Sequence, residues 1–95
     1  MNFNHLVSML ELRHLKTLKA LREMGSLVEA AEVLHLTQSA LSHQIKDLED
    51  RLNCTLFIRK TKPPRFTSAG RRLLALADLV APEFKAAERD IARLT

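Results

Sequence analysis

The sequence predicts a mainly α-helical fold that ends in one long helix. Two observations carry this. Apolar residues recur about one helical turn apart over most of the 95 residues, and only one segment past the middle changes to a strand-like pattern. Gly 2 and Pro 3 leave few points at which the chain can turn sharply. Aromatics are 4%, all of them Phe, which is low for a β-rich domain and ordinary for a helical one. The length suits one compact domain with an appendage, and 46% apolar residues support a small core.

Residues 1–9 show no strong pattern and read as a flexible leader. From Leu10 the pattern becomes helical. Leu12, Leu15, Leu18 and Leu21 fall a turn apart, with Arg13, Lys16, Lys19 and Arg22 between them. Gly25 is a natural C-terminal stop. Ser26 then opens a second helix, with Glu29 three residues on; this spacing predicts a capping box, in which each side chain satisfies a free backbone donor. Leu27, Ala30, Ala31, Val33 and Leu34 make that helix short and slim, and the Ala30-Ala31 pair admits a close neighbour. His35-Leu36 forms a tight turn, and Thr37 caps a third helix.

In the third helix Leu41, Ile45, Leu48 and Leu52 are spaced 4, 3 and 4, one buried stripe. Gln38, Ser39, Ser42, His43 and Lys46 share the other face. Each can donate a hydrogen bond and none is acidic; Asp47, Glu49 and Asp50 lie toward the far end. The period then changes. Leu56 to Arg59 is a short strand, Pro63-Pro64 forces a turn, and Arg65-Phe66 pairs back. Two helices at a tight turn, followed by two short strands around a basic loop, describe a winged helix-turn-helix over residues 10–66.

Thr67 caps the last helix, over residues 67–95, which would be roughly 40 Å long at its usual rise. Leu73, Ala77, Val80, Phe84, Ala87, Ile91 and Leu94 are spaced 4, 3, 4, 3, 4, 3, an unbroken heptad seam. Such a seam exceeds what a small domain can bury, so the expected partner is the same helix of a second copy. Pro82 lies off the seam and should bend the helix or split it.

The charge pattern points to a polyanionic partner. The net charge is only +4, but no acidic residue occurs from Arg51 to Ala77, a stretch that carries Arg51, Arg59, Lys60, Lys62, Arg65, Arg71 and Arg72. In a helix-turn-helix the second helix enters the major groove N-terminus first. Gln pairs in bidentate fashion with adenine, and Ser serves several bases. Gln38, Ser39, Ser42 and His43 are therefore the expected base-contacting residues of a double-stranded DNA reader. Thr37 and Lys46 should hold phosphates, and Arg59, Lys60, Lys62 and Arg65 of the wing should meet the backbone or an adjacent minor groove.

Other function classes find little support. The single cysteine, Cys54, allows no intrachain disulfide and fits a reducing cytoplasm. His5, His14 and His35 share no metal-ligand spacing with Cys54 and read as surface or packing residues. There is no nucleophile–base set, paired carboxylates or Gly-rich phosphate loop, so no enzymatic role is expected. No secretory leader is visible, and no apolar run approaches the roughly 20 residues that span a membrane. RNA is disfavoured by the lack of an aromatic stacking platform. Two alternatives stay open: a helical protein-interaction module built on the long helix, and a stand-alone winged-helix repressor.

Leu12 to Gly70 resembles the DNA-binding domain of LysR-type transcriptional regulators. The segments that carry the resemblance are LRHLKTLKAL, GSLVEAAEVLHLTQSALSHQIKDLEDRL, TLFIRK and RFTSAG. HLKTL, LTQSALSHQ and the RK followed by PRFT resemble in particular the members that control methionine biosynthesis. The resemblance places Gln38, Ser39, Ser42 and His43 on the family's base-reading positions and Arg59 on its wing arginine. Many members carry Pro-Pro where this chain has Ser39-Ala40, which puts the contact at Ser39 in question. It implies an activator that works as a homodimer through the last helix, with a tetramer possible in the full-length protein. Members carry a two-lobed effector-binding domain after the linker helix. The expectation is thus a DNA-binding fragment with no cofactor of its own, a homocysteine-type effector belonging to the missing domain.

Overall fold

The computed structural model describes residues 10–59, 61 and 63–95. The leader 1–9, with His5, and the wing residues Lys60 and Lys62 lie outside the described residues. Four helices and one hairpin follow in the order α1 (Leu12–Met24), α2 (Leu27–Val33), α3 (Gln38–Leu52), β1 (Phe57–Ile58), β2 (Arg65–Phe66) and α4 (Ser68–Leu94).

Each boundary has a local cause. Helix α1 starts at Leu12, two residues later than its periodicity suggests, because His14 Nδ1 accepts the Glu11 backbone N–H at 2.9 Å and holds Glu11 outside the helix. It ends on Gly25, whose φ of 75° needs no Cβ. The Ser26 half of the expected capping box forms: its Oγ accepts the Glu29 N–H at 3.1 Å. The turn between α2 and α3 places His35 at φ 58°, a left-handed conformation that histidine adopts more readily than most residues with a Cβ. Thr37 Oγ1 accepts the Ala40 N–H at 3.0 Å and caps α3 as expected.

One core joins all the elements. Leu18, Ala20 and Leu21 of α1 meet Ala30 and Ala31 of α2, Leu41 and Ile45 of α3, Phe57 of β1 and Leu74 of α4. Ala30 and Ala31 are almost fully buried, so the slim face of α2 does admit close neighbours. Of the expected α3 stripe, Leu41, Ile45 and Leu48 are buried and Leu52 is half-buried. The hairpin is antiparallel, with Phe57 opposite Phe66 and Ile58 opposite Arg65. The two Phe rings pack at 5.6 Å between centroids and fasten the wing root to the core. The first strand is shorter than its apolar run: Leu56 spends its N–H on the Glu49 carboxylate, while its carbonyl accepts the Thr67 N–H in line with the hairpin register.

Of the two outcomes expected at Pro82, helix α4 does not split: it runs unbroken from Ser68 to Leu94. Its heptad seam, in contrast to expectation, is divided in use. Ala77 is 3% exposed within the single chain, and Leu73 packs on the core beside buried Leu74. Val80 is half-buried and lines, with Leu12 and Leu15 of α1, a groove that Phe84 also borders. The first part of the seam is therefore consumed inside the domain, and Ala77 has no surface left to offer a partner. Past Pro82 the helix outruns the domain: Phe84 is 47% exposed, Ile91 59% and Leu94 84%.

Candidate nucleic-acid interface

Helix α3 is held from behind by its apolar stripe and by a polar clamp. Thr17, buried in α1, donates its hydroxyl to the Gln44 Oε1 atom. Sequence reasoning missed this clamp, because Thr17 and Gln44 sit in unremarkable positions 27 residues apart. The opposite face of α3 is left to solvent. Gln38, Ser39, His43 and Lys46 are exposed and Ser42 is half-buried, so the structure brings the expected base-reading residues onto one open surface. Ala40, in the same first turn, is exposed as well and adds a methyl that suits a thymine methyl. Thr37 is exposed at the helix start, where the backbone N–H groups and the helix dipole favour an anion.

The cations around this face divide into occupied and available. Arg51 pairs with Asp47 at 3.1 Å and lies 3.7 Å from Glu11, on the side away from the donor row. Arg71 turns back onto the Phe66 carbonyl at 2.8 Å and Ser68 Oγ at 3.2 Å. Lys46 pairs with Asp50 at 3.2 Å, but both side chains are about two-thirds exposed, and such a pair is weak enough to exchange for a phosphate. Arg59 donates to the Ser42 carbonyl at 3.2 Å, which sets the wing beside the donor row. Arg65 and Arg72 are exposed and make no ion pair among the described residues. Among the described residues of the acid-free block, Arg51 and Arg71 are thus turned to partners within the chain, and Arg59 is the one placed against α3.

Known proteins resemble this chain in both sequence and fold. The profile described as "Bacterial regulatory helix-turn-helix protein, lysR family" matches residues 12–71. The HTH-type transcriptional regulator MetR of Haemophilus influenzae is 59% identical over 85 residues, covering 90% of this chain and 28% of that protein. The chain thus spans just over a quarter of that relative's length. Among solved structures, the DNA-binding domain of BenM in complex with benA site 1 DNA superposes with a TM-score of 0.80 at 30% identity, over 90% of this chain and 100% of that one. The CbnR DNA-binding domain in complex with DNA gives 0.73 at 29% identity, over 90% and 100%. Profile, relatives and fold converge, and the chain belongs to the LysR family of bacterial regulatory helix-turn-helix proteins.

Proposed function

We propose that this chain reads double-stranded DNA in sequence-specific fashion, as the DNA-binding segment of a transcriptional regulator of methionine biosynthesis genes. The observation that carries the DNA reading is the acid-free row of donors on the exposed face of α3, with Arg59 beside it. A face built to be wet needs no such selection of residue types, whereas base edges in the major groove require donors presented together. The solved complexes named above, at about one-third identity or a little less, support the same use of the fold. The methionine assignment rests on similarity to regulators named MetR. A homocysteine-type effector, on this reading, acts through the part of the regulator beyond the matched segment.

In this account α3 lies in the major groove and the wing from Arg59 to Arg65 follows the backbone into the neighbouring minor groove. Two copies, paired through the exposed part of α4, address two half-sites of a partly palindromic operator. Selection of duplexes from a random pool tests it. Recovery of a repeated motif with two related halves supports the reading, and recovery of no motif at low salt refutes it. Affinity should also fall steeply with salt, since phosphate contacts release counterions.

A further inference from the structure

Glu49 sits on α3 among the acidic residues toward its far end. Its carboxylate Oε2 accepts the Leu56 N–H at 2.7 Å and the Phe57 N–H at 3.3 Å. Its backbone carbonyl accepts the Cys54 N–H at 3.1 Å. Asn53, at φ 53°, turns the chain back after α3 so that these three donors return to one residue. The two N–H groups caught by the side chain open the first wing strand. Leu56 passes the connection on: its carbonyl accepts the Thr67 N–H at 3.1 Å and lies against Gly70 at the start of α4.

We propose that Glu49 is the positioning residue that sets the wing relative to the reading helix, so that major-groove and minor-groove contacts keep one fixed register. This inference rests on the DNA-reading proposal above. The wing root meets Glu49 near the end of α3, and the wing arm meets the middle of α3 where Arg59 donates to the Ser42 carbonyl at 3.2 Å. Two attachments, at Glu49 and at Ser42, fix an angle as well as a distance. Of these, only the Glu49 attachment remains when Arg59 leaves Ser42 for DNA. A reader so preorganised loses little conformational freedom on binding.

The test uses the full chain, duplexes selected by the wild type, and the same core motif flanked by A·T-rich or G·C-rich sequence. Two ratios are measured: affinity for core against scrambled core, which reports α3, and affinity for A·T against G·C flanks, which reports the wing. In Glu49→Ala and in Glu49→Asp, whose shorter side chain cannot reach Leu56, the flank ratio should fall to within about twofold of unity while the core ratio holds. Glu49→Gln, whose amide oxygen can accept the same N–H groups, should keep both ratios. If Glu49→Ala does not fold, the Asp and Gln variants decide between the outcomes. Core and flank ratios that fall together, or a flank ratio that survives Glu49→Asp, overturn the positioning role. A wild type with core preference and no flank preference overturns it too, and leaves the reading by α3 intact. A wild type with no preference for any duplex overturns the DNA reading itself and this proposal with it.

Discussion

Arg22 grips both carboxylate oxygens of Asp78, with Nη2 2.6 Å from Oδ1 and Nη1 2.9 Å from Oδ2. The pair ties the end of α1 to α4 one turn before Pro82. Because proline carries no N–H, the Asp78 carbonyl loses its usual helical donor at Pro82. The bridge therefore fastens α4 at the place where its own ladder is interrupted. Beyond this point the apolar seam of α4 stands increasingly open, with Phe84 47% exposed, Ile91 59% and Leu94 84%.

Acid should loosen the fold in two stages. Burial, then the neighbouring Arg13, holds the His14 imidazole below its ordinary value of 6.5. An unfolded chain therefore takes up this proton first, and the His14 contribution is whole above pH 6.5 and falls as pH drops toward the folded value. The hydrogen bonds from Arg22 hold Asp78 below its ordinary 3.8, so the bridge persists until pH falls through that lower value. Melting temperature against pH should show an early decline that His14→Gln flattens and a late one that Asp78→Asn flattens. A profile unchanged by either variant would contradict the assignment.

Gly70 should tolerate no side chain. A Cβ there would overlap the Leu56 carbonyl oxygen and lie 3.3 Å from Phe66 Cβ. The obstacle is backbone, which cannot swing aside as a flexible side chain would. Gly70→Ala is expected to cost about 1–3 kcal/mol, the usual range for overpacking. Chemical denaturation measures this; a loss under about 0.5 kcal/mol would mean that α4 can shift away from the wing root.

The exposed arm of α4 should pair two copies. Phe84→Asp and Ile91→Asp place a charge on the part of the seam that the chain itself leaves open. Sedimentation at micromolar concentration should find a dimeric wild type and monomeric variants with unchanged circular dichroism. Ala77→Asp, in contrast, should unfold the domain, since Ala77 is buried within it. A monomeric wild type would remove the dimer from the account.

Much of this was legible in the sequence, and the exceptions share a cause. Periodicity and caps are local, so Gly25, Ser26, Thr37 and Thr67 mark real helix ends. The donor face of α3 was legible for the same reason: residues four apart on a helix share a side in any fold. Thr17 was not, nor were the Glu49 contacts with the wing root and the approach of Arg51 to Glu11, because each depends on a partner brought near only by the folding of the chain. The heptad seam misled through length. Its period is real, but where the domain ends and the arm begins is set by α1, which no pattern within α4 records.

The central claim is that the exposed row on α3 reads base edges. Its most direct test measures the affinity of wild type, Gln38→Ala and His43→Ala for a selected duplex and for a scrambled one, at one salt concentration. Each substitution should cost about 1–3 kcal/mol on the selected duplex, the range for a base contact, and little on the scrambled one. Arg65→Ala serves as the control, expected to weaken both duplexes alike and to lower the salt slope by about one. Equal losses on both duplexes for Gln38→Ala and His43→Ala would contradict the account, since residues that touch only phosphate cannot tell one sequence from another.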